Sequence, residues 1–258
     1  MNHIRTLKDV KDFKVESNRE IYSATHEEIK AGATTDIYFI KTMELLRHMG
    51  LAQKKVVAEI FPRKSGIICG INEALSLLKD KNVMIEALPE GESFQPKDVV
   101  MRITGPYEEF GIYETVFLGM LAHSSAWATA SRQCREAAGE KTFICFGARH
   151  VHPAVAPVME RAAIIGGADN ASCILAAKLL GREPSGTIPH AAILIAGDTV
   201  TVAKAYNEIM PPDSPRIILV DTFRDEAEEA LAVAEALGSE LEGVRLDTPA
   251  ERGGVTPA

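Results

Sequence analysis

From residue 142 to residue 247 the sequence alternates between short β-rich runs and helical patterns, and this alternation limits the fold more than anything else in the chain. Strands are expected at 142–146, 186–188, 216–221 and 243–247. Helices are expected at 153–165, 170–180, 198–210 and 225–237, with stops at Gly181, Pro211-Pro212 and Gly238. Strand–helix alternation with short connections implies a parallel sheet, either open or curled into a barrel. A closed α/β barrel needs about eight strands. The run supplies about half of that, so the expectation is an irregular α/β barrel left incomplete over residues 141–258.

The first 110 residues have a different character. The strands expected at 55–61, 65–71, 83–88 and 98–103 are short and bounded by tight turns, and only one helix, at 72–79, falls among them. That is the pattern of an α+β sheet domain. Thr25 followed by Glu28 has the form of a capping box opening a short helix, which Gly32 ends. The stretch 34–42 is aromatic and β-branched but carries Asp36 and Lys41, so Tyr38 reads equally as a strand or a helix aromatic. Residues 111–140 form the connection, a helix over 113–138. Its small residues between Ala122 and Ser131 predict close packing against another element.

Three polar knots interrupt the apolar pattern of 146–190: Phe146-Gly-Ala-Arg149, Gly166-Gly-Ala-Asp-Asn170 and Gly186-Thr-Ile-Pro-His190. Glycine beside a charged or hydrogen-bonding residue at element ends is the mark of a site assembled from successive loops. Arg149 can grip a phosphate or carboxylate through two parallel hydrogen bonds, or form a structural ion pair. Asp169 and Asn170 read as caps of the next helix or as acceptors for a ring substituent. Thr187 and His190 stand three positions apart in a rigid turn. Arg245 and Asp247 share one face of a strand, where they could hold phosphate and ribose or simply neutralise each other. Asp221, at another strand end, is equally open. The acidic run 225–229 is expected to be a solvated first turn of a helix.

The net charge of −8, from 36 acidic against 28 basic side chains, argues against a nucleic-acid-binding face. A charged opening and the lack of a long apolar run point to a cytoplasmic protein without a membrane span. Cys69, Cys134, Cys145 and Cys173 form no C-x-x-C pair and are expected to be inert core thiols. His150 and His152 lack a recognisable third partner, so no protein-held metal site is expected.

Taken in order, Thr35-Asp-Ile-Tyr38, Tyr113-Glu-Thr115, Phe146-Gly-Ala-Arg149, His152-Pro153, Ile165-Gly-Gly-Ala-Asp169, Gly186-Thr-Ile-Pro-His190, Asp221-Thr222 and Arg245-Leu-Asp-Thr248 resemble the nicotinate phosphoribosyltransferases, and most closely their archaeal branch. The resemblance implies a type II phosphoribosyltransferase that joins nicotinate to 5-phosphoribosyl 1-diphosphate (PRPP), releasing pyrophosphate, in NAD salvage. It implies Phe146 stacking on the pyridine ring, with Tyr38 on the other face and reaching a neighbouring subunit's site. The assembly would then be a homodimer or a larger homo-oligomer. It further implies Arg149 on the base and phosphate side, Asp169 near the ring substituent, Thr187 on the base, and Asp221, Arg245 and Asp247 on ribose and phosphate. His190 matches the histidine phosphorylated in ATP-coupled members, and Mg²⁺ would accompany PRPP. Asp169 is also what nicotinamide users carry, which keeps nicotinamide as an alternative base. Quinolinate is the other alternative, and a non-catalytic nucleotide-binding module is the reading from a different class. The family's later barrel strands, with the loops that bind the 5′-phosphate, are missing from the sequence, so the chain alone is expected to be inactive.

Overall fold

The computed structural model describes residues 3–17 and 19–248. The chain forms two compact units, 1–185 and 186–258. This division differs from the boundaries expected at 110 and 140. The helix Glu114–Ala138 joins the first unit on both of its sides, to the N-terminal sheet domain and to the first strand–helix–strand segment beyond it.

In the first unit, β1 (Lys55–Ile60), β2 (Gly66–Ile67), β3 (Met84–Ala87), β4 (Ser93–Phe94) and β5 (Met101–Pro106) form two antiparallel sheets, ordered β1-β5-β3 and β2-β4. β5 is central, and its side chains alternate as a strand with one covered face must: Met101 and Ile103 are buried, Arg102 and Thr104 less so. Opposite them pack Ile40 and Met43 of helix Ile37–His48, Ala74 and Leu78 of helix Ile71–Leu78, and Phe117 and Leu121 of the long helix. Each of the larger of these side chains contributes about 1.5–3 kcal/mol by leaving water. Tyr38 therefore lies on a helix, which settles the ambiguity of its segment. The Thr25 capping box is present, and Gly32 closes that helix with φ 88°.

The long helix meets helix Ala156–Gly166 through small residues, as expected. A Cβ on Gly166 would stand 2.2 Å from the Ala128 carbonyl oxygen. The Ser131 hydroxyl donates to the Ala163 carbonyl at 2.6 Å, and Arg132 Nε donates to the Gly166 carbonyl at 2.8 Å. This helix is the crossover between β6 (Ile144–Cys145) and β7 (Asn170–Ala171), which pair in parallel. The Gly-Gly-Ala-Asp knot leads into a strand, not a helix, and the next helix, Ile174–Leu179, begins only after Cys173. Gly167, at φ 122°, ends the preceding helix and lets the chain turn straight into the ladder.

In the second unit, β8 (Ile217–Leu219) and β9 (Gly243–Arg245) also pair in parallel, with helix Glu226–Leu237 as their crossover. Ala203, Ile218, Val220, Val233 and Leu237 form the core. The strand expected at 186–188 is not there. That segment carries no regular structure, and Pro189, which is extended and has no N–H to give a ladder, instead precedes the helix His190–Ala196. His190 thus stands at a helix start, not at a strand end. Cys134 is exposed, against the expectation of burial, whereas Cys69 is fully buried and its thiol is pushed up to about 11 by that burial.

Candidate functional site

The residues singled out in the sequence separate into two groups. Tyr38, Phe146, Arg149 and Asp169 belong to the first unit; Thr187, His190, Asp221, Arg245 and Asp247 belong to the second.

The second group forms one network. Arg245 Nη2 meets Asp247 Oδ2 at 2.6 Å, and Arg245 Nη1 donates to the Thr187 hydroxyl at 3.2 Å. Asp221 sits beneath them. Its Oδ2 accepts from the Asp247 amide at 2.7 Å and from the Thr248 hydroxyl at 2.8 Å. Its other oxygen, Oδ1, is buried with no hydrogen-bond partner among the described residues. A buried acceptor left without a donor is disfavoured by about 1–3 kcal/mol, which makes it a natural place for an incoming donor or cation. His190 lies over this atom. Its Nδ1 is 3.0 Å from the Thr222 hydroxyl, while Nε2 faces Asp221 Oδ1 at 3.8 Å and Asp247 Oδ2 at 3.9 Å. The result is an imidazole, a guanidinium, two carboxylates and three hydroxyls gathered about the carboxyl ends of two parallel strands, where α/β sheets place their ligands.

The first group is more dispersed, and its four members share no hydrogen bond or ion pair with one another among the described residues. Phe146 and Arg149 follow β6 on one loop, whose end is a 3₁₀ turn, Ala148–His150. The Phe146 ring is 49% exposed, and the Arg149 side chain is exposed with no partner among the described residues. Tyr38, 55% exposed, lies against Phe39 with ring centroids 4.2 Å apart. Asp169 is committed elsewhere. Its Oδ2 accepts from the Phe143 amide at 2.7 Å and from Arg135 Nη1 at 2.9 Å. The Phe143 amide first, and then the Arg135 charge, hold its carboxyl below the usual range.

Two carboxylates escaped the sequence reading. Glu160, with no exposure at all, accepts from the Ala148 amide, the Ser172 hydroxyl and the Cys173 amide at 2.8, 3.0 and 2.6 Å. Glu229 accepts from the amides of Thr222, Phe223 and Arg224 at 3.4, 3.0 and 3.2 Å, and from the Thr199 hydroxyl at 3.0 Å. The acidic run 225–229 is therefore not wholly solvated: Glu229 points inward on its helix and holds the loop after β8, and Glu226 accepts from the Thr248 hydroxyl. The signal available in the sequence was a glutamate at an apolar-stripe position, between Met159 and Ala162 in one helix and before Val233 in the other.

Residues 36–125 match the family model for the quinolinate phosphoribosyl transferase N-terminal domain, and residues 127–255 match that for the C-terminal domain. The nicotinate-nucleotide pyrophosphorylase of Pyrococcus furiosus is similar at 44% identity and a TM-score of 0.88, over 92% of this chain and 62% of that one. The human nicotinic acid phosphoribosyltransferase superposes with a TM-score of 0.68 at 21% identity, over 83% of this chain and 61% of that one, a likeness of fold. The nicotinate phosphoribosyltransferase of Bacillus subtilis is 27% identical over 83% of this chain and 51% of its own length. The chain thus spans about half the length of that curated relative.

Proposed function

Because the chain belongs to the type II phosphoribosyltransferase family, a family of pyridine phosphoribosyltransferases, we propose that it uses nicotinate as its base: nicotinate and PRPP give nicotinate mononucleotide and pyrophosphate. The observation that carries the choice of base is the state of the arginines between 132 and 182. Arg132, Arg135, Arg161 and Arg182 are bonded to the Gly166 carbonyl, Asp169, Glu90 and the Asp169 carbonyl respectively. Arg149 alone of the five has no partner among the described residues. One free guanidinium fork suits one carboxylate, whereas a dicarboxylate such as quinolinate calls for a second. Nicotinamide would need an acceptor for its amide, and Asp169 is held in place by the Phe143 amide and Arg135, both on Oδ2. Quinolinate remains the second reading, favoured by the family models themselves.

In this reading Phe146 and Tyr38 offer their exposed rings to the pyridine, Tyr38 to the site of a second copy. Arg149 holds the carboxylate, and the role of Thr187 on the base is the one the resemblance to nicotinate phosphoribosyltransferases implies. Asp221, Arg245 and Asp247 hold ribose and phosphate. As the bond to pyrophosphate loosens, positive charge develops on the ribose ring, and the carboxylates of Asp221 and Asp247 stabilise it electrostatically. Mg²⁺ would neutralise the leaving pyrophosphate. The unpartnered Asp221 Oδ1 and the Asp247 carboxylate are oxygen donors of the type it takes, beside substrate phosphates. His190 Nε2 is the nucleophilic nitrogen for a phosphoryl group from ATP in an ATP-coupled cycle, since Nδ1 is engaged by Thr222.

The test is PRPP-dependent consumption of nicotinate, nicotinamide and quinolinate, each with and without ATP, by the full chain. Nicotinate should be preferred by kcat/KM. Preference for quinolinate would replace this assignment by the second reading, and turnover of none of the three would favour a non-catalytic nucleotide-binding role.

A further inference from the structure

We infer that Glu160 is a positioning residue for the pyridine-carboxylate subsite, acting as a clasp between the loops that follow β6 and β7; the inference rests on the proposed base-binding role of Phe146 and Arg149. The carboxylate is completely buried, yet its three bonds are all to loop atoms and none to a cation. Oε1 takes the Ala148 amide, the residue immediately before Arg149, together with the Ser172 hydroxyl. Oε2 takes the Cys173 amide. One side chain thus ties the carboxyl end of β6 to the carboxyl end of β7. The loop lies flat on the same helix one residue earlier, where a Cβ on Gly147 would come within 2.6 Å of the Met159 methyl.

A buried anion that serves only the packing of its helix would be expected to pair with a cation of the core. Glu160 instead supplies acceptors to two backbone amides that have no strand partner. Binding sites need side chains held within about half an ångström of their working positions, and the exposed Arg149 has no bond of its own that would do this. Its position is set through the backbone at Ala148, and so by Glu160.

The test compares Glu160→Gln and Glu160→Asp with the full wild-type chain, using nicotinate and PRPP as probes. Gln keeps the volume but turns one acceptor into an NH₂ group that faces a loop donor. Asp keeps the charge but falls one methylene short of spanning both loops. For Glu160→Gln, with circular dichroism and melting confirming a folded chain, KM for nicotinate should rise about tenfold while KM for PRPP stays within about twofold. Amide exchange at Ala148 and Cys173 should accelerate relative to the rest of the unit. Glu160→Asp should recover part of the KM but not the exchange protection at both amides. Unchanged nicotinate KM in a folded Glu160→Gln, or an equal rise for PRPP, overturns the inference. Should Glu160→Gln not fold, Ser172→Ala removes one bond of the clasp, and a nicotinate KM raised about threefold supports the inference while an unchanged one refutes it. If the wild type neither binds nor turns over nicotinate, the functional reading fails first. Exchange at Ala148 and Cys173 then decides whether the clasp exists.

Discussion

Arg149→Ala should separate binding from stability more cleanly than any other substitution in the chain. The guanidinium is exposed and has no partner among the described residues, so truncation leaves no internal acceptor unsatisfied. Surface changes of that kind stay within about 0.5 kcal/mol of stability, so the melting temperature should move by less than about 2 °C. The substrate side is different. A charge-assisted hydrogen bond contributes about 1.5–3 kcal/mol, and truncating one partner of a desolvated charge pair removes about 2–5 kcal/mol. Taking about 3 kcal/mol for a fork partly open to water, kcat/KM for nicotinate should fall roughly 150-fold. Arg149→Lys keeps the charge without the two parallel donors and should lie between the variant and the wild type. The assay is initial-rate kinetics with nicotinate varied at saturating PRPP, beside a thermal melt of the same preparation. Full activity in Arg149→Ala would refute the assignment of the subsite. A large fall in melting temperature with intact kinetics would show that the guanidinium serves the fold instead.

Gly166→Ala should weaken the chain by about 1–3 kcal/mol in a urea titration, because the added methyl meets the Ala128 carbonyl oxygen at 2.2 Å and backbone cannot yield cheaply. Arg216→Ala should cost about 3 kcal/mol by the same measurement, since the nearly buried guanidinium satisfies the carbonyls of Asn207, Met210, Pro211 and Ser214 at the end of helix Thr199–Ile209, and Arg216→Lys should rescue little of it. In acid, the Arg19 partner and then the Thr25 amide lower the Glu28 carboxyl from 4.5 to about 2. Its contribution is therefore full above about pH 4.5 and lost as pH falls towards 2, and melts of wild type and Arg19→Ala should converge over that window. Asp169→Asn should lower the melting temperature while changing the nicotinate-to-nicotinamide preference less than about threefold, because its carboxylate is engaged by Phe143 and Arg135; a swing of tenfold or more would mean that it reads the base.

What was legible in the sequence is what depends on near neighbours. The Thr25 capping box, the stops at Gly32 and Gly238, the helices beginning at Thr199 and Glu226, and the close approach predicted by the small residues of 122–131 all follow from contacts within a few turns of chain or from residue size. The failures share one cause. β4 and β7 are two-residue ladders, too short to show a period of two, and they exist only because distant strands supply their partners. Residues 186–188 have strand-like composition, but no neighbour pairs with them.

The carboxylates carry the same lesson into the site. By residue type Asp169, Glu160, Asp221 and Glu229 are interchangeable acceptors, and proximity to glycine made Asp169 the conspicuous one. Their surroundings distinguish them. Asp169 already holds an arginine and an amide, and Glu160 and Glu229 are filled by loop amides. Asp221 alone of the four keeps a buried oxygen without a partner. An acceptor whose donors are all in place fixes geometry, and one with a vacancy can bind. On that criterion Asp221, with the imidazole above it, is the buried carboxylate open to an incoming donor, and the Asp169→Asn variant decides whether the glycine-flanked aspartate, whose Oδ2 takes both of its donors, also has a part in binding.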